Sequence, residues 1–253
     1  MKKMWFFIMH MSLVWIFMCS ATAQAVSITH TWNFHALCYA TGKCNDTSES
    51  SGNVRTAASD NGLSVKVSAY AFTNNGTGAA IKTWLGQYLN TNGGFGVTNS
   101  SGDNSHTVDN IGYSDFTVFE FSAPVNVTSY YLKRFDDADS TWYVGNLAAG
   151  FDFTGKTLTN LNALGLTTGV NFWTSGSDTN PLESISTSLY GNYLILAANL
   201  GASDRDDQFK IRTITATTHN PDPVPEPGTF FLVGSGLVLL GLVARQKAKK
   251  ANR

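Results

Sequence analysis

Two uncharged apolar runs lie near opposite ends of this 253-residue chain, each flanked by Lys or Arg, and they leave one long polar segment between them to fold. Near the start, Lys2 and Lys3 precede a run over 4–19 that only His10 and Ser12 interrupt, and Ala23-Gln24-Ala25 follows. A basic n-region, an apolar h-region and a small-x-small site together make a secretory signal peptide over 1–25. Signal peptidase is expected to read Ala23 and Ala25, so the mature chain begins at Val26. An uncleaved membrane helix is disfavoured by that cleavage site, and a lipoprotein site at Cys19 by the bulk of Phe17 and Met18 before it.

The second run, 228–244, holds no charged residue and is followed by Arg245, Lys247, Lys249, Lys250 and Arg253. Its length sits at the short limit of the roughly 17 to 25 residues that span a bilayer. A surface-packed helix of a globular domain would be amphipathic, whereas this one is apolar all round and carries Gly234, Gly236 and Gly241. The expectation is a single C-terminal transmembrane helix. Short basic segments stay on the cytoplasmic side, which puts the tail 245–253 inside and 26–218 outside. A glycosylphosphatidylinositol signal would not close on basic residues.

Four of the chain's six prolines, Pro221, Pro223, Pro225 and Pro227, fall in the linker 219–227. Proline fixes φ and has no N–H to donate, so this linker reads as extended and solvated. Val224-Pro225-Glu226-Pro227, a glycine-punctuated apolar helix and a closing basic cluster resemble the PEP-CTERM sorting signal of Gram-negative exported proteins. The resemblance implies recognition of Pro225, Glu226 and Pro227 by an exosortase, a membrane protease-transpeptidase that removes the helix and releases or attaches the protein outside the cell. It speaks to destination and processing, leaving any chemistry of 26–218 open.

The outward segment 26–218 is long enough for one sizeable core, and it contains neither an internal repeat nor a Pro-rich break. It holds 16 acidic residues, the chain's 18 less Asp222 and Glu226, and 10 basic ones, the chain's 17 less Lys2, Lys3 and the five of the tail. The resulting net charge of −6 argues against a nucleic-acid partner, which requires clustered Lys and Arg. Cys38 and Cys44 are the two cysteines left after signal cleavage, an even pair in an oxidising compartment. A disulfide is the preferred reading, with two buried thiols as the alternative. Two Cys alone do not complete a zinc set.

Strict alternation over 63–72 places Leu63, Val65, Val67, Ala69 and Ala71 on one face of a strand. Shorter strand candidates are 28–34, 81–88, 116–121, 125–132, 141–147, 170–174, 193–198 and 209–215. Asp60-Asn61-Gly62, Asn74-Asn75-Gly76, Asn92-Gly93-Gly94 and Ser101-Gly102-Asp103 supply turns that tolerate positive φ. Many short strands, with only a turn or two of helix near 158–164, predict an all-β fold: a β-sandwich of jelly-roll type.

His106 to Gly112, Asp115 to Phe121, Pro124-Val125, Asp136-Asp137-Ala138-Asp139 and Asp206-Asp207-Gln208-Phe209-Lys210 together resemble the exosortase-dependent surface proteins, a group of PEP-CTERM substrates with no established activity. Asp136, Asp137 and Asp139 could supply oxygens to a structural calcium ion. A solvated acidic turn is the favoured alternative, because no glycine and distal Glu complete an EF-hand register. No other cofactor is implied. His106 beside Asp109 invites a general-base role, but no nucleophile-elbow serine accompanies it. Asp115 and Glu120 could be imagined as a glycosidase pair, yet their odd separation puts them on opposite faces of a regular strand.

No catalytic residue is therefore assigned. The leading expectation is a non-catalytic surface or extracellular-matrix protein, possessing a role in biofilm or envelope structure. The alternative is a carbohydrate-binding module that takes a polysaccharide on Trp32, Trp84, Trp142, Trp173 and neighbouring Tyr, although core packing accounts for most of these rings. A secreted hydrolase has the least support.

Overall fold

In the computed structural model the described residues are 27–34, 54–86, 93–100, 103, 105–172, 181–200, 205–219 and helical positions within 235–248. Ile28–Thr218 form one compact unit. Among the described residues this unit is all-β and almost wholly antiparallel, and the short α1 (Leu158–Asn162) is an α-helix described from end to end. Thr157 caps α1: its hydroxyl accepts the Asn160 N–H while the Asn160 side chain accepts the Thr157 N–H.

The organising element is β8 (Ser114–Arg134), 21 residues long and paired in two different neighbourhoods. Its first portion lies between β3 (Ser64–Phe72) and β12 (Gly191–Ala198), with Val67 opposite Phe119 and Leu194 opposite Phe119 on the other side. Its second portion pairs with β13 (Gln208–His219) and β11 (Leu182–Ser184). Pro124 falls in the irregular stretch of the β12 ladder between Glu120 and Val125, just before the β13 pairing that starts at Asn126, so a residue without an N–H costs no registered ladder bond there. The path across the sheet runs β1 (Ser27–Asn33), β13, β8, β12, β9 (Ser140–Gly145) and β10 (Thr167–Asn171). β2 (Val54–Ala58) and β4 (Ala80–Lys82) pair with β3, and β7 (Val108–Asp109) pairs with β13. β5 (Trp84–Gly86) and β6 (Gly96–Thr98) form a separate hairpin-like pair.

Period-two alternation sorts the first portion of β8 and its neighbours into two apolar faces. Val65, Val67, Phe119, Phe121, Leu194 and Leu196 join one buried cluster with Leu132, Ile211 and Ile214 from the other portion of the sheet. Tyr70, Phe116, Val118, Tyr193 and Ile195 point the opposite way, into a second cluster with Phe153 and Leu161. Because residues 147–166 cover that second face, 114–121 and 193–198 are buried on both sides, and their sequence reads as near-continuous apolar runs. Past Pro124 the burial of β8 alternates, as expected of a strand with one solvated face.

The turns follow the sequence chemistry. Asn74, Asn75 and Gly76 all take positive φ, and Asp60 accepts the N–H groups of Thr31 and Asn61 at 2.8 and 2.9 Å. The strand expected at 170–174 lies earlier, at Thr167–Asn171, where Gly169 opposes Trp142; a Cβ on Gly169 would run into the Trp142 ring.

The second unit, Met1–Ser27 with His219–Arg253, lies largely outside the described residues. Its described C-terminal positions, 235–236, 238–242, 244–245 and 247–248, are helical, and Val238, Leu239, Leu240 and Leu242 are each more than half exposed. Among the described residues no helix is long and apolar enough to cross a membrane.

Candidate functional site

The segment around His106 folds into a knot of carboxylates. Asp103, Asp109 and Asp115 each place an oxygen within 4.8 Å of the others. Protein donors fill much of this site. Asp103 accepts from the Ser105 N–H and hydroxyl at 2.9 and 2.6 Å, Asp109 from the Thr107 hydroxyl at 3.2 Å, and Asp115 from the Asn99 amide at 3.1 and 3.2 Å. Burial pushes the Asp109 carboxyl up to about 6. Asp115, fully buried, is driven well above the usual carboxylate range by desolvation and by the charge of Asp109. His106 contacts the Thr98 hydroxyl through Nδ1 at 2.5 Å, and burial lowers its pKa.

A second acidic group gathers Asp137, Asp206 and Asp207 within 4.8 Å. The backbone makes it: the Asp137 N–H donates to the Asp206 carbonyl at 3.1 Å, and the Gln208 N–H donates to the Asp137 carbonyl at 2.7 Å. The expected trio of Asp136, Asp137 and Asp139 does not gather in this way. Asp136 is exposed, Asp139 turns into the buried start of β9, and only Asp137 joins an acidic group.

A groove lies on the second face of β3 and β8, beneath 147–154, with a volume of about 170 Å3. Two ion pairs flank it, Lys66 with Glu120 and Lys82 with Asp152, each at 3.3 Å. The covering loop is pinned to the sheet by side chains. Glu120 accepts the Gly150 N–H at 2.8 Å, and the Tyr193 hydroxyl accepts the Phe151 N–H at 3.1 Å while donating to the Ala148 carbonyl at 3.0 Å. Asp152 accepts from the Thr154 N–H and hydroxyl at 3.0 and 2.7 Å, and these bonds with Lys82 hold its pKa down at about 2. Burial acts to raise Glu120, but the Gly150 N–H and Lys66 outweigh it and keep its pKa below the ordinary value. Tyr70 on the floor is pushed up to about 12 by desolvation and by Asp152.

Asp115 and Glu120 face opposite sides of β8: Asp115 sits in the carboxylate knot and Glu120 beside the groove. The tryptophans do not make a platform among the described residues. Trp32 is fully buried against Phe121 and donates its Nε1–H to the Leu63 carbonyl at 2.9 Å, Trp142 is buried under Gly169, and Trp84 is half-buried. Trp173, Cys38, Cys44, Ala23, Ala25, Pro225, Glu226 and Pro227 lie outside the described residues. The groove escaped sequence reading because its four charges come from β3, β4, β8 and the loop after β9, with no local motif joining them.

Residues 223–248 match the PEP-CTERM protein-sorting motif. That match defines the class: a chain carrying the tail of exported proteins processed by an exosortase-type enzyme, which implies delivery to the cell envelope or surface. No curated protein and no solved structure matches the chain.

Proposed function

We propose that this chain is an exported, non-catalytic surface or matrix protein whose β-sandwich domain, 26–218, is delivered outside the cell and then separated from its membrane helix at the sorting tail. The observation that carries the reading is the sorting motif over 223–248. The exposed apolar side chains of Val238, Leu239, Leu240 and Leu242 on a helical segment support a membrane role for 228–244. Two portions of sheet joined through β8 and enclosing one apolar cluster support the sandwich reading. The opposite orientations of Asp115 and Glu120 speak against a glycosidase pair. Cys38 and Cys44 form a disulfide in the exported protein on this reading, which mass spectrometry of alkylated, non-reduced protein tests.

The test of the function compares the native host with the same host lacking its exosortase. Loss of the enzyme converts a shorter, released or surface-held product into a full-length, membrane-bound one. Identical mass and fractionation in the two hosts would overturn the reading.

A further inference from the structure

The groove beneath 147–154 has a chemistry of its own, independent of how the tail is processed. Its two lysines and two carboxylates are already paired at 3.3 Å, so it carries no net charge. An anion would face Glu120 and Asp152, and a cation would face Lys66 and Lys82; neither finds a surplus of the opposite sign. An apolar ligand would strip water from both ion pairs and return no hydrogen bonds. A neutral polyol avoids all three penalties, since each hydroxyl both donates and accepts and can bridge a lysine to its carboxylate.

Size narrows the class further. A volume of about 170 Å3 is well below the roughly 300–1,000 Å3 of pockets that enclose drug-sized ligands. It suits one ring. The walls are set before any ligand arrives, because Gly150 and Phe151 are tied to Glu120 and Tyr193 on the sheet, and preorganised walls lower the cost of binding. Phe151, half-buried at the rim, adds the apolar surface that a sugar's C–H face can use.

We infer that this groove binds a single neutral pyranose unit of a saccharide, with Lys66, Glu120, Lys82 and Asp152 making the polar contacts and Phe151 the apolar one. Val54, 42% exposed on β2 and opposite Ser68 of β3, stands at the groove without belonging to the core.

The test uses the full chain, purified in a detergent without a sugar headgroup, and titrates it calorimetrically with the methyl α-pyranosides of glucose, galactose and mannose. Glucuronate and glucosamine serve as charged comparisons. At least one neutral glycoside binds, Val54→Trp weakens it ten-fold or more by covering the groove, Lys82→Gln weakens it several-fold without changing the melting temperature, and Asp152→Asn weakens it several-fold. Should Val54→Trp fail to fold, the exposed Lys82→Gln variant carries the test alone. Absence of binding by all three neutral glycosides, tighter binding of a charged sugar, or binding unchanged in the folded groove variants would overturn the inference.

Discussion

Glu120 holds the Gly150 N–H at 2.8 Å with one carboxylate oxygen and Lys66 Nζ at 3.3 Å with the other, so one side chain on β8 fastens the covering loop to the sheet. Glu120→Ala removes both contacts and leaves the Gly150 N–H to find water. We expect a loss of about 1–2 kcal/mol by chemical denaturation and faster proteolytic cleavage within 146–152. Glu120→Gln keeps an acceptor for Gly150 and should cost less. Unchanged stability and cleavage in the alanine variant would mean that the loop is held well enough by Tyr193 and by Asn192, whose side chain accepts the Leu147 N–H at 3.0 Å and donates to the Leu147 carbonyl at 2.9 Å.

The carboxylate knot makes stability depend on pH. Burial pushes Asp109 in the folded protein up to about 6, above the ordinary aspartate value of 3.8, so the folded state binds more protons between those values. Its contribution is fully present below the unfolded pKa and is lost as pH rises through about 6. The shift corresponds to a change on the order of 2–3 kcal/mol, and Asp115 works in the same direction. His106, with its pKa lowered, opposes them in part of the window. The melting temperature should therefore rise from pH 7.5 to pH 5, and Asp109→Asn should make that rise smaller, with Asp115 supplying the remainder. A wild-type melting temperature that falls over this interval would contradict the assignment.

Phe116 and Phe119 lie on opposite faces of β8, both fully buried. If 147–166 form a true second core, Phe116→Ala should destabilise as much as Phe119→Ala, about 3–5 kcal/mol each. A cost below about 1 kcal/mol for Phe116→Ala alone would show that the covering segment contributes little.

How much of this was legible in the sequence depended on the range of the interaction. Alternation over 63–72 marked β3 because one face is buried in the main cluster along its length. The runs 116–121 and 125–132 were both visible but read as two strands, whereas the chain continues through Pro124 as the single strand β8, with β12 reaching Val125 and β13 taking over from Asn126. The strands β6, β7 and β11 are two or three residues long, too short for any period to register. β10 begins with Thr167, Thr168 and Gly169, polar or small positions at the end of the strand order, so its start was hidden. Local sequence pointed to Asp136, Asp137 and Asp139, whereas Asp137 meets Asp206 and Asp207 through a bridge formed only in the folded sheet. The tail was readable because its signal is linear: Pro225, Glu226 and Pro227, an apolar run and a basic cluster follow in order.

That linear signal gives the most direct test of the account. Replacing Pro225, Glu226 and Pro227 together with alanine removes the recognised tripeptide and the φ restriction that keeps the linker out of helix, while leaving the signal peptide, the apolar run and the basic cluster intact. The measurement is the mass and membrane fractionation of the protein in its native host. We predict that export continues and that the full-length, membrane-bound form accumulates in place of the processed product. Processing of the triple variant at the wild-type site and rate would contradict the sorting role and leave 228–244 as a plain anchor.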